Sequence, residues 1–343
     1  MIVVGKMAAV SSSCWFGSRR VHLLLLCVTI RQAVSDYDES EALIHAYLAT
    51  AAYCGYPKTS QASLEAWDCG PPCDNVPGMS DVRQILTSDD NDAYAFVGKR
   101  DGQCYVSFRG TSDLAGWLAD LESYNLAILE NMSGQGIPCS HDGSECRVGK
   151  GFMDNYNSIS AFVRGNLTAI GCLPPMGVTV TGHSLGAAEA GIAMYDLFQR
   201  GYKIKPTFTF GQPRVGDQAW ADAFARDLGA NTSYRITYHK DPVVHLPFLH
   251  SQGNEEHHGF VHLSTEVFYI GTVAGSPVIC DGSGEDPECS DRFKDFPLML
   301  LACLWDVSKC DHLKYMTAVK TIPMDGSSCT DGGGRGRLVD IVV

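Results

Sequence analysis

A serine, a carboxylate and a histidine, spread over 129 residues of this chain, could together carry out acyl transfer. Ser184 stands in Gly182-His183-Ser184-Leu185-Gly186, after the β-branched run Val178-Thr179-Val180-Thr181 and before Ala187-Ala188. A strand that turns sharply into a helix at such a serine lifts the hydroxyl clear of a sheet, and the glycines remove side chains that would crowd it. The hydroxyl attacks an acyl carbon only if a histidine takes its proton and a carboxylate holds that histidine in the right tautomer. Asp241 follows a strand-like stretch and precedes Pro242, which stiffens its loop. The other mid-chain acids fall mostly on helix faces or in the loop near Cys289. The histidine is less determined. His239, His245, His250, His257, His258 and His262 crowd the region around and after Asp241, whereas His312 stands apart in a late segment behind a cysteine loop. The order Ser, Asp, His is one that such triads adopt, and residue pattern alone leans to His312 while leaving the cluster open. The oxyanion formed by attack needs donors: the amide of Leu185, and a second from the loop 108–111, where Thr111 could add its hydroxyl. Leu114, Trp117, Leu118 and Leu121 follow, reading as a core helix or, directly after that loop, as a lid that opens onto an interface.

The elements that must position these groups alternate along the chain. Apolar residues at helical spacing over 38–52 predict an N-terminal helix ending near Gly55 and Pro57, and 57–81 reads as loop. Residues 93–97 and 103–108 flank Asp101-Gly102, a hairpin turn. Residues 131–150 read as loop. A helix over 152–170, a strand at 178–181, a helix over 185–198, a strand at 204–210, a helix over 217–228 and a strand at 234–238 follow. Strands expected at 267–270 and 276–280 precede an apolar helix over 296–304. This alternation predicts an α/β fold with a mostly parallel central sheet and helices on both faces. Sites in such folds lie at the carboxyl ends of strands, where Ser184 and Asp241 fall.

Arg19 and Arg20 precede the apolar run 21–30, too short to span a bilayer, and Ala33-Val34-Ser35 offers a cleavage site. Residues 1–35 are therefore expected to be a signal peptide, starting at Met1 or Met7. The domain would occupy 36–330, with a Gly-rich tail at 331–343. Without residues 1–35 the chain carries 22 basic and 39 acidic residues, a net charge of −17. Such a surface repels phosphate backbones and argues against nucleic-acid binding. Twelve cysteines remain, an even number that points to disulfides and an oxidising compartment. Cys69 with Cys73, Cys139 with Cys146 and Cys280 with Cys289 are close enough to close small loops. A zinc site beginning at Cys69 and Cys73 lacks a second ligand pair. Asn131, Asn166 and Asn231 open glycosylation sequons.

Five of these segments, in this order, resemble the class 3 (fungal-type) lipases, whose fold is the α/β-hydrolase. They are Ala49 through Cys54; Val106 through Thr111 with Trp117 and Asp120; Gly182 through Gly186; Asp241-Pro242-Val243-Val244-His245-Leu246-Pro247; and Asp311-His312-Leu313-Lys314-Tyr315. The resemblance runs from about residue 36 to residue 329. It implies His312 as the base, His245 as a loop residue, disulfides Cys69–Cys73 and Cys139–Cys146, and a bond from Cys54 to the late chain at Cys329. It also implies hydrolysis of lipid esters at an interface by a secreted monomer that touches membrane or droplet surfaces transiently and needs no cofactor or metal. A phospholipase A1 or feruloyl esterase activity, or a non-catalytic lipid-binding relative, are the alternatives. Glu189 departs from the family pattern, in which that helix position is usually apolar; a helix N-terminus tolerates a carboxylate.

Overall fold

The computed structural model of the protein describes residues 37–55, 61–86, 93–114, 116–117, 128–247, 259–271, 277–316 and 321–331. The expected signal peptide, Leu118, Leu121, His250, His257, His258 and nearly all of the expected tail lie outside them.

Eight strands form the main sheet in chain order: β1 (Ser80–Leu86), β2 (Tyr94–Arg100), β3 (Gln103–Phe108), β4 (Gly177–His183), β5 (Thr207–Phe210), β6 (Ser233–Tyr238), β7 (Glu266–Tyr269) and β8 (Val278–Ile279). The five from β3 to β7 run parallel; β1, β2 and β8 are antiparallel additions at the two edges. A further two-residue strand, Lys203–Ile204, pairs with β4. Buried on both faces, β4, β5 and β6 are almost wholly enclosed, as parallel strands under helices must be.

Helix α1 (Glu39–Ala52) starts where Asp38 accepts the amides of Ser40 and Glu41, with Glu39 and Glu41 in the first turn. It packs on one face of the sheet against a layer that includes Phe208, Phe210, Tyr234 and Tyr238. The opposite face carries α2 (Lys150–Ala169), α3 (Leu185–Gln199) and α4 (Gln218–Leu228). Phe152, Tyr156, Ile159, Val163 and Leu167 give α2 one apolar stripe. In α3 the first thirteen residues are all buried, and its alanines and glycines let it lie close to the sheet. A last helix, α5 (Phe296–Trp305), precedes the His312 segment.

The structure departs from the sequence reading in three places. Within 57–81 it forms the short helices Gln61–Glu65 and Pro71–Asp74 and the start of β1, a strand with only Val82 and Ile85 buried. The single strand expected at 204–210 is two, Lys203–Ile204 and Thr207–Phe210, broken at Lys205-Pro206, since proline has no amide for the ladder. Within 131–150 two small antiparallel pairs form, Leu129–Asn131 with Arg147–Gly149 and Ser140–His141 with Ser144–Glu145. All twelve described cysteines are bonded: Cys54–Cys329, Cys69–Cys73, Cys104–Cys172, Cys139–Cys146, Cys280–Cys289 and Cys303–Cys310.

Candidate active site

The site is built at the carboxyl ends of β3, β4, β5 and β6. Strand β4 ends at His183 and α3 begins at Leu185, so Ser184 makes the whole turn alone, at φ 61° and ψ −130°. A non-glycine residue there is strained by about 1–3 kcal/mol, which the surrounding packing has to hold. The turn fits only because its neighbours lack side chains: a Cβ on Gly186 would lie 2.4 Å from the Phe108 carbonyl oxygen. The pairing of Phe108 with Gly182 brings the end of β3 alongside the elbow. Gly110 then approaches so closely that a Cβ there would stand 2.9 Å from that of Ser184. Thr111 is the next residue, and Leu185 offers the first amide of α3, a position without an intrahelical acceptor. Both sequence-expected oxyanion donors therefore belong to backbone that meets at Ser184. Arg109 is buried with its guanidinium 4.9 Å from the Tyr94 ring centre.

Asp241 follows β6 and is fully buried. Its carboxylate accepts from the Val243 amide at 2.8 Å, from His312 Nδ1 at 2.9 Å and from the Tyr315 hydroxyl. Burial pushes this carboxyl upward, but the His312 ring and the donated hydrogen bonds from His312, Tyr315 and Val243 outweigh it and hold Asp241 below the usual carboxylate value. An ionised carboxylate only accepts, so Nδ1 of His312 carries the ring proton and Nε2 is left with its lone pair. Among the described residues neither His312 Nε2 nor Ser184 Oγ, both buried, has a hydrogen-bond partner. Arg214, 3% exposed, braces the Asp241 loop by donating to the carbonyls of His245 and Pro247 while it is paired with Glu285.

Three supporting side chains were missed by reading the sequence for nucleophile, acid and base. His183 stacks 4.4 Å from His312, and its Nε2 donates to the His312 carbonyl at 2.8 Å; Nδ1 accepts from the Tyr53 hydroxyl, also at 2.8 Å. Burial, then the His312 ring, lowers its pKa well below the ordinary histidine value, so it is a neutral strut. Tyr315 is the third. The only available signals were its place three residues after His312 and Tyr53's place beside Cys54.

The three described histidines of the cluster are engaged elsewhere. His239 bonds Asp311, His262 donates to the Val244 carbonyl, and His245 is buried 3.9 Å from Asp291. Glu189 is buried on α3 and accepts from Asn155 on α2. Trp117, 8% exposed, packs into the main core cluster with Leu114 against it; Leu118 and Leu121 are not described. Asn231 is exposed, while Asn131 and Asn166 are half-buried. The one group of acid and sulfur atoms at metal-binding separations among the described residues is Glu266 with Cys280 and Cys289. Its cysteines are bonded to each other and Glu266 accepts from Thr237 and the Ser290 amide.

Buried neutral histidines make the fold acid-sensitive. Burial lowers His45 to about 4 and takes His183 and His262 well below the ordinary value. Below about pH 6.5 the unfolded chain binds these protons and the folded chain does not, so stability is full above that pH and falls as pH drops towards the folded values. The slope approaches about 1.4 kcal/mol per pH unit for each histidine. The urea midpoint should therefore fall steeply between pH 7 and pH 5; an unchanged midpoint would show these rings to be open to protons.

A family model described as "Lipase (class 3)" matches residues 105–251. A lipase of Rhizomucor miehei is 28% identical over 292 residues, covering 83% of this chain and 70% of that one. The chloroplastic phospholipase A(1) DAD1 of Arabidopsis thaliana is 27% identical over 208 residues, 58% of this chain and 45% of that one. A solved triacylglycerol lipase, described as having a serine protease triad as its catalytic centre, superposes with a TM-score of 0.58 at 27% identity, covering 83% of this chain and 95% of its own. With an elbow, an acid loop and a late histidine placed on an α/β-hydrolase sheet, the chain is similar to the class 3 lipases in both sequence and fold.

Proposed function

We propose that this protein hydrolyses carboxylic esters of lipids, triacylglycerols first among them, through an acyl-enzyme on Ser184. The observation that carries the reading is the buried Asp241–His312 pair at 2.9 Å, whose proton-free Nε2 and the Ser184 hydroxyl both lack partners among the described residues. His312 Nε2 takes the hydroxyl proton as Oγ bonds to the ester carbon. The carbonyl electrons move onto the oxyanion, which the amides of Leu185 and Thr111 receive in a site kept dry. Collapse of the intermediate expels the alcohol, which takes the proton back from His312; water then repeats the sequence and frees the fatty acid. Asp241 stays ionised throughout and steadies the imidazolium. The six disulfides support secretion into an oxidising compartment, and Asn131, Asn166 and Asn231 are the proposed glycan sites.

The likeness to a plant phospholipase A(1) gives a second reading, cleavage of one acyl ester of a phospholipid. A fluorophosphonate adduct mapped by mass spectrometry to the peptide holding Ser184, with fatty acid released faster from triolein than from phosphatidylcholine or methyl ferulate, is the expected result. Faster release from phosphatidylcholine favours the second reading, and no adduct at Ser184 removes both.

A further inference from the structure

Helix α5, Phe296-Pro297-Leu298-Met299-Leu300-Leu301-Ala302-Cys303-Leu304-Trp305, holds no charged residue, yet only one side of it is covered. Phe296, Met299, Leu300 and Cys303 are buried. Leu298, Leu301, Leu304 and Trp305 are 66%, 60%, 43% and 93% exposed. Their spacing of three, three and one places them on one outward face. Four of the described large exposed apolar side chains thus fall within eight residues, and an isolated patch of this kind marks an interaction surface.

The helix is also fixed to the site. Cys303–Cys310 ties its last turn to the residue two before His312. Leu298, Met299, Ala302 and Cys303 share a cavity of about 290 Å³ with Lys240 and Asp311, the neighbours of Asp241 and His312. The outward face therefore belongs to a helix held against the two segments that carry Asp241 and His312.

We propose that α5 seats the protein on an uncharged or zwitterionic lipid surface, independently of any lid. Three features favour lipid over protein. Leucines between a terminal tryptophan and flanking lysines are what an interfacial helix presents, with the indole at headgroup level. Lys294 and Lys309 stand exposed beyond the two ends, each paired with an aspartate, Asp291 and Asp306, so this face is near neutral in a chain whose net charge is strongly negative. The patch amounts to a few hundred Å², short of the ~800 Å² per partner that a stable dimer buries. Ten residues of helix are about 15 Å long, enough to lie on a bilayer and half of what crossing one requires.

The consequence for catalysis rests on the lipid-ester reading above, so the test separates the two. Binding is read in Ser184→Ala protein by flotation with triolein droplets coated with dioleoylphosphatidylcholine. Adding Leu301→Ser and Trp305→Ser together should reduce the bound fraction about tenfold, and Trp305→Ser alone severalfold; both sites face solvent, so the fold is spared. With Ser184 restored, the ratio of the triolein rate to the dissolved p-nitrophenyl butyrate rate should fall about tenfold. Unchanged flotation overturns the proposal, as does a parallel fall in both rates. A wild-type dimer in sedimentation that these substitutions split would assign the face to a second copy and overturn it too. Flotation that depends on α5 in a protein that cleaves no ester upholds the seating face and removes the hydrolase reading.

Discussion

Ser184→Ala is expected to lower kcat on triacylglycerol by about 10⁶-fold, leaving only what binding and the oxyanion donors supply. The size follows from how the site is assembled. Ser184 is the sole residue between β4 and α3, held at a positive φ that aims its side chain out of the sheet. No described group could replace it: the neighbouring hydroxyl of Thr181 is spent on the Phe208 carbonyl, and that of Thr111 is bonded within its own turn. His312→Ala should cost nearly as much, and the double variant no more than either, because a base without a nucleophile and a nucleophile without a base are equally idle. Stability should hardly change with Ser184→Ala, since Oγ makes no hydrogen bond among the described residues. The measurement is burst-phase and steady-state release of p-nitrophenol at matched folded protein. A loss below about a hundredfold would show that another group carries the acyl chain.

Much of that assembly was legible beforehand, and the parts that were not have physical reasons. The elbow declared itself because two backbone demands coincide there: β-branched residues before the serine, small ones after it. Asp241 was legible because a parallel strand ends at it and proline follows. By contrast β1, with Val82 and Ile85 alone turned inward, has an apolar period too sparse to separate from loop. The bond between Cys104 and Cys172 joins β3 to the chain just before β4 across 68 residues, and proximity in space at that range leaves no mark on spacing. His183 looked like the variable position of a motif. Its role exists only once folding brings Tyr53 and the His312 carbonyl to opposite nitrogens of its ring. The outward face of α5 was hidden for a different reason: a wholly apolar helix has no period to betray which side is bare.

Asp241→Asn is expected to reduce kcat by about 10⁴-fold at neutral pH, with the fold retained. Three donors converge on this carboxylate: the Val243 amide, His312 Nδ1 and the Tyr315 hydroxyl. An asparagine has one acceptor oxygen and a donating NH₂, so it cannot satisfy all three. With its oxygen kept on Val243, the amide nitrogen faces His312. The ring meets a donor by placing its proton on Nε2, the atom that must receive the Ser184 proton, and the base is then blocked without having moved. The stability cost should be about 1–3 kcal/mol for the donor left unmet. Tyr315→Phe separates the two effects: it removes one donor but leaves the charge and the tautomer, so kcat should fall by less than about tenfold. Because Asp241 is held below the usual carboxylate range, it stays charged throughout the working pH range, and the wild-type acid limb should not reflect it. The asparagine variant's activity should instead rise with pH, as hydroxide increasingly substitutes for the lost base. Equal losses in Asp241→Asn and Tyr315→Phe would mean that packing around the carboxylate, and not its control of the His312 tautomer, sets the rate.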